Sequence, residues 1–218
     1  MSAERRLSGS VEPAAHSPLL IVLSAPSGGG KTTLCQQLLA AQPNITRAIT
    51  CTTRAPRSGE TNGVDYYFLD PETFRRRAQA QEFLEHALVH GNNYGTLRSE
   101  VGEGLRKGKD VLLAIDVQGA ASVRATAEQD PLLRQALVTV FLTPQSVSIL
   151  EERLRKRSTD AEAVIQKRLS AAREEIAQWK HFDYLLISTT IAEDLRRMQV
   201  ILEAERMRQP RAIAPQAD

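Results

Sequence analysis

Cysteine is scarce in this chain: Cys35 and Cys51 are the only two in 218 residues. They show no metal-ligand spacing and cannot build a disulfide framework, so reduced thiols in a cytoplasmic protein are expected. No apolar run approaches the ~20 residues that span a bilayer. The Arg5–Arg6 pair is not followed by the apolar stretch of a signal peptide. The formal net charge is only +2, so no chain-wide basic field favours sequence-independent nucleic-acid binding. Neither a membrane nor a nucleic acid is therefore expected as a partner. Internal repeats are absent too. Residues 1–17 are dominated by Ser, Gly, Pro and Ala and read as a mobile N-terminal extension, and 210–218 as a mobile tail.

What remains, 18–209, has the length of one α/β domain with a substantial core. Leu19–Leu23 is a short continuous apolar run, as in a strand buried on both faces, and Val111–Ile115, Val138–Leu142 and Tyr184–Ile187 repeat it. Helical patterns alternate with these runs: Thr33–Leu39, Gln118–Ala127, Ser146–Lys156, Ala161–Trp179 and Ile191–Met207. The alternation predicts a parallel sheet with helices on both faces. Residues 49–95 break the rhythm with short strand-like pieces around one helix, which opens on Asp70 as N-cap and Pro71 at its first position. They read as an inserted, mostly antiparallel subdomain. An Arg-rich stretch, Glu151–Arg168, joins two helices without an apolar strand and is a second insertion candidate.

Between the first strand and first helix stands Ala25-Pro26-Ser27-Gly28-Gly29-Gly30-Lys31-Thr32-Thr33. It matches Gly, four residues, Gly-Lys-[Ser/Thr], except that Ala25 takes the first Gly position. Consecutive glycines let backbone N–H groups converge on phosphate oxygens, and the helix N-terminus adds partial positive charge. Lys31 is expected to neutralise the β- and γ-phosphates of ATP, and Thr32 to ligate Mg²⁺. The alternative, a glycine-rich hinge before a helix, does not explain Lys-Thr at the correct place.

Further along, Thr50-Cys51-Thr52-Thr53-Arg54-Ala55-Pro56-Arg57-Ser58-Gly59-Glu60 opens the inserted segment. Two arginines three apart, stiffened by Pro56, suit a monoester phosphate, since guanidinium forks match that geometry. An Arg-rich surface loop is the other reading of these residues alone. Glu85 alone reads as a solvated strand charge. Arg153, Arg157 and Arg168 alone read as a solvated basic face; like charges four apart weaken an isolated helix by a few tenths of a kcal/mol.

Taken together these segments resemble the guanylate kinase family. The glycine-rich loop is followed in that family's order by Thr-Thr-Arg-Ala-Pro-Arg-x-Gly-Glu, Asn62–Phe68, Glu82-Phe83-Leu84-Glu85, Gly91–Thr96 and Ile115-Asp116-Val117-Gln118-Gly119. The resemblance runs from about Leu19 to Leu202. It implies a P-loop NTPase-type α/β fold with core 18–48, 96–145 and 170–209, a GMP-binding insertion 49–95 and a helical lid 146–169. It also implies transfer of the γ-phosphoryl group of ATP to GMP, and to dGMP, with Mg²⁺ as cofactor. Arg54, Arg57, Tyr66 and Tyr94 resemble the grip on the GMP phosphate. Glu85 resembles the guanine reader, beside Thr50 and Thr96. Asp116 is similar to the carboxylate near the metal and GMP. Arg153, Arg157 and Arg168 are similar to lid arginines that, with Lys31 and Arg54, act on the transferring group. A carboxylate accepting from guanine N1–H and N2–H₂ has no counterpart interaction with adenine, supporting discrimination on the order of 10⁴.

Two departures stand out. Many relatives carry a carboxylate where this chain has Ala114, and Asn-Asp-Asp where it has Ser188-Thr189-Thr190; altered ATP affinity and relaxed donor choice are expected from the second. Two other readings are weaker. Guanylate kinase-like scaffold domains typically have a degraded phosphate loop, whereas Lys31-Thr32 is intact. Ribose bisphosphate phosphokinases lack the Thr-Thr-Arg-x-Pro-Arg grip. Oligomeric state is not fixed by the sequence, and a homo-oligomer is left open.

Overall fold

The computed structural model describes residues 16–89, 91–157 and 162–213. In chain order its elements are β1 (Leu20–Ser24), α1 (Lys31–Ala41), β2 (Ile45–Arg47), β3 (Thr50–Thr52), β4 (Tyr67–Phe68), α2 (Pro71–Gln79), β5 (Phe83–Val89), β6 (Asn92–Leu97), α3 (Arg98–Arg106), β7 (Asp110–Ala114), α4 (Val117–Gln129), α5 (Pro131–Ala136), β8 (Leu137–Pro144), α6 (Val147–Arg157), α7 (Glu162–Ala177), β9 (Tyr184–Ser188) and α8 (Ile191–Met207).

Five strands form one sheet in the order β2-β7-β1-β8-β9, and every pairing is parallel. Parallel strands covered on both faces must be apolar throughout, and β1 is buried at all five positions. One core face gathers Leu20, Val22, Val111, Leu113, Val123 and Phe141; the other gathers Leu19, Ile21, Leu23, Leu38, Leu112, Met198 and Leu202. The alternation of Leu20 and Val22 against Ile21 and Leu23 is the two-residue pleat read out in packing. Chain order reverses beside β1, and at such a switch point the carboxyl ends of the strands open a crevice. The loop 25–30 leaves β1 there.

A smaller sheet, β4-β3-β6-β5, is built from residues within 50–97. β3 and β5 flank β6 in antiparallel pairings, while β4 joins β3 in parallel. Asp70 caps α2 by accepting from the Thr73 N–H at 2.8 Å, as its position before Pro71 leads one to expect. α6 and α7 pack on each other through Leu150, Leu154, Ile165, Leu169 and Ala172. In the tail expected to be mobile from 210, Arg211 is buried. It donates to the carbonyls of Gln135 (2.6 Å) and Leu137 (2.9 Å) and pairs with Glu205. Residues 1–15 of the expected extension and 214–218 lie outside the described residues. No helix among the described residues is long and apolar enough to cross a membrane.

Candidate active site

The loop between β1 and α1 is wound tightly enough to need its glycines. Gly28 and Gly30 have φ of +83° and +98°, a left-handed backbone that strains any residue with a Cβ. Ala25, at the position where the pattern has glycine, is not among the residues with positive φ, so its methyl is accommodated and lies buried. Residues 25–33 line a cavity of about 220 Å³ together with Asp116 and Glu175. Leu150 and Leu154 of α6 rest over Gly28.

Lys31 turns inward from the first position of α1. Its Nζ donates to the Ile115 carbonyl at 2.8 Å, and Ser24 Oγ donates to the same carbonyl at 2.8 Å. Burial pulls the Lys31 ammonium below its usual range, opposed by the charges of Asp116, Glu175 and Glu85 nearby. Asp116 follows β7 and caps α4, its Oδ1 accepting from the Gly119 N–H at 2.8 Å.

A second cavity, about 210 Å³, is lined by Lys31, Arg47, Thr50, Tyr66, Glu85, Tyr94, Ala114 and Asp116 among others. Thr50 of β3 pairs with Thr96 of β6, which pairs with Glu85 of β5, so the three side chains form a row across three strands. A register irregularity between Phe83 and Glu85 breaks the alternation: Phe83, Leu84 and Glu85 are buried in succession. This is how a strand delivers a carboxylate inward beside apolar neighbours. Glu85 is only 5% exposed. Its Oε1 accepts from Thr96 Oγ1 at 2.7 Å, and burial, with a contribution from Asp116, pushes its carboxyl up to about 7. The other oxygen lies against the first turn of α4. A Cβ placed on Gly119 would sit 2.7 Å from Glu85 Oε2, closer than any side chain tolerates.

Arg54 does not line this cavity but packs against Tyr66, which does. Its guanidinium is 5.4 Å from the Tyr66 ring centroid, and Tyr66 meets Tyr94 edge-on at 6.1 Å. Glu60 holds Arg54 in a forked pair of 2.8 and 2.9 Å and also accepts from the Arg57 N–H at 2.7 Å. The Glu60 carboxylate, joined by the Tyr94 hydroxyl, raises the Arg54 pKa. The Arg57 side chain itself is exposed and outside the cavity. Arg153 of α6 lines a third cavity of about 230 Å³ with Gly30, Thr33, Leu34, Ser188, Thr189, Ile191 and Asp194. Arg168 is half-buried on α7. The expectation for Arg157 falls on a side chain outside the described residues. The segment 188–190, from which altered ATP affinity and relaxed donor choice are expected, has its own order: Asp194 accepts from Ser188 Oγ (2.7 Å) and the Thr189 N–H (3.0 Å), and Thr190 caps α8.

Two residues beside these cavities escaped the sequence reading. Glu175 of α7 lines the phosphate-loop cavity; burial raises its pKa, opposed by the nearby Ser27 backbone N–H, and its Oε2 is buried without a partner. Arg47, at the end of β2, lines the second cavity. Neither belongs to a local motif; each is delivered by an element distant in sequence. Cys35 and Cys51 are buried free thiols, and burial pushes both up to about 11, so they take no part in this chemistry.

A sequence profile described as Guanylate kinase matches residues 17–205. The guanylate kinase of Carboxydothermus hydrogenoformans is 43% identical over 90% of this chain and 93% of its own length. That of Paramagnetospirillum magneticum is 43% identical over 89% and 88%. The crystal structure of guanylate kinase from Anaplasma phagocytophilum is similar with a TM-score of 0.71, at 35% identity and 90% coverage of both chains.

Proposed function

Because this chain belongs to the guanylate kinase family and transfers the γ-phosphoryl group of ATP to GMP, giving ADP and GDP in nucleotide metabolism, we propose a specific division of labour among its residues. Backbone N–H groups of 25–33 hold the ATP phosphates, with Lys31 leaving the Ile115 carbonyl to neutralise them. Glu85, Thr50 and Thr96 read guanine. Arg54, Arg57, Tyr66 and Tyr94 hold the acceptor phosphate, Arg57 swinging in from solvent. Residues 49–95 thus act as the acceptor-binding insertion on a core of 18–48, 96–145 and 170–209.

The observation that carries this reading is the wall common to both cavities. Lys31 and Asp116 line the phosphate-loop cavity and the Glu85 cavity alike, so donor and acceptor phosphates meet there. An acceptor phosphate oxygen attacks the γ-phosphorus directly, so no protein nucleophile is needed and alignment with charge neutralisation supplies the catalysis. Arg153, Arg157 and Arg168 of the lid, 146–169, close over the transferring group and exclude water. Thr32 and Asp116 would hold Mg²⁺. The donor set suits it: Asp116 commits Oδ1 to Gly119 and keeps Oδ2, and Mg²⁺ takes few protein ligands beside phosphates and water. When bound, it neutralises charge on the phosphate oxygens. With a methyl at 114 in place of a carboxylate, dGMP is accepted as well. Buried free thiols suit a reducing compartment, the cytoplasm.

The test is Arg54→Ala, assayed by coupled ADP release with GMP, dGMP and AMP. Loss of charge-assisted bonds should raise the KM for GMP roughly 10- to 100-fold, with AMP at background throughout. An unchanged KM for GMP rejects the assigned grip.

A further inference from the structure

Arg47 lies outside every motif that ties this chain to its family, yet its side chain reaches the acceptor cavity. β2 runs parallel to β7 with Arg47 opposite Leu112. Residues in register share a face, as do residues two apart along a strand, so Arg47 and Ala114 lie on one face, Ala114 about 7 Å nearer the carboxyl end. Both line the same cavity. At 114 this chain presents only a methyl to the cavity that Arg47 also lines.

The guanidinium bridges from the core sheet to the inserted segment: Nη2 donates to the Asp65 carbonyl at 3.0 Å. It lies 5.9 Å from the Tyr66 ring centroid, the ring that Arg54 approaches to 5.4 Å. Two guanidinium groups therefore share one aromatic ring that lines the cavity. Arg54 has Glu60 as counter-ion. Arg47, among the described residues, is bonded to a neutral carbonyl and forms no ion pair. A guanidinium offers five N–H donors, and one is used. The charged side chains lining the cavity are Lys31, Arg47, Glu85 and Asp116. Without Arg47, two carboxylates would face a single ammonium before a phosphate dianion arrives.

We propose that Arg47 binds the phosphate of the acceptor nucleotide as a third guanidinium beside Arg54 and Arg57, and that Ala114 leaves it the room to do so. The proposal rests on the reading of this cavity as the GMP site. It assigns to Arg47 a contact with ligand charge, distinct from the tether it makes to Asp65.

Arg47→Gln separates the two, because glutamine can still donate to the Asp65 carbonyl. The KM for GMP should rise about 10- to 100-fold, the effect of losing charge-assisted bonds, with kcat within about threefold. The inhibition constant of guanosine, which has no phosphate, should stay within about twofold of wild type. An unchanged KM for GMP, or equal weakening of GMP and guanosine, overturns the proposal; the second result would leave Arg47 a tether only. Glu85→Gln serves as the control on the cavity. If it raises the KM for GMP and Arg47→Gln does not, the inference alone fails; if neither does, the cavity was misassigned and the inference falls with it. Should Arg47→Gln not fold, Arg47→Lys keeps charge and a donor but loses the fork, and a KM for GMP raised about three- to tenfold is expected, with a wild-type value counting against. Ala114→Asp should weaken GMP with Arg47 present and add little to Arg47→Gln. Additive effects would show that the two positions do not act together.

Discussion

Replacing Glu85 by glutamine should make this enzyme more stable and less able to recognise its acceptor, and the stability gain should appear only where the carboxyl is ionised. The side chain is 5% exposed and its carboxyl rises from the usual 4.5 to about 7, chiefly through burial. Between those two values the folded chain holds a proton that the unfolded chain has released. Stability therefore falls as pH rises through that window, by the proton-linkage relation. At ~1.4 kcal/mol per tenfold change in an ionisation constant, the full penalty above pH 7 is about 3 kcal/mol. Glutamine can still accept from Thr96 Oγ1 and never ionises. Urea unfolding of Glu85→Gln and wild type at pH 8 and pH 5 should show a difference of about 3 kcal/mol in favour of the variant at pH 8, largely gone at pH 5. The same variant should lose a factor of about 10² or more in kcat/KM for GMP, since the acceptor for guanine N1–H is removed. In the wild type, the KM for GMP should climb as pH drops below about 7. A stability difference that is the same at both pH values would refute the reasoning, because it would mean the buried carboxyl carries no ionisation cost.

Gly119→Ala should act on the same carboxylate from the other side: with its Cβ 2.7 Å from Glu85 Oε2, the KM for GMP should rise about tenfold or more with the circular dichroism spectrum retained, and wild-type kinetics would show that Glu85 can move aside freely. Glu175→Ala should lower kcat about tenfold by removing a side chain from the wall of the phosphate-loop cavity, whereas Glu175→Gln, which keeps that volume, should stay within about threefold; equal losses in steady-state assays would point to the charge and away from the shape of the wall.

The sequence was most readable where local pattern and burial coincide. The apolar runs starting at Leu19, Val111, Val138 and Tyr184 became β1, β7, β8 and β9 within one or two residues, because a strand buried on both faces has no freedom to alternate. α3 was not legible: Gly102 and Gly104 lower its helix propensity, and packing against β7 overrides them. β6 was not legible either: Asn92, Asn93 and Gly95 are poor strand formers, and the segment becomes a strand because β3 and β5 both pair with it. α5 did carry a signal, since Asp130 caps it and Pro131 opens it, but six residues are too few for periodicity to show. At the site, motif residues could be named because their spacing is local. Arg47 and Glu175 could not, since a charged residue in a strand or helix looks solvent-facing until the topology turns it inward. Asp194 illustrates the same limit: it supplies a buried carboxylate next to Ser188 from the first turn of α8, where the strand itself has none.

That Lys31 and Asp116 border both cavities has a thermodynamic corollary. Drawing the Lys31 ammonium from the Ile115 carbonyl towards a triphosphate alters the potential felt by whatever lies beside Glu85. If ATP and GMP occupy these cavities as proposed, each is expected to change the other's dissociation constant, and by the same factor in both directions. Titrating either nucleotide in the presence of a non-reacting analogue of the other would give that factor twice over, and the two determinations must agree. On the proposed assignment, such a coupling traces to one lysine and one aspartate seen from two sides.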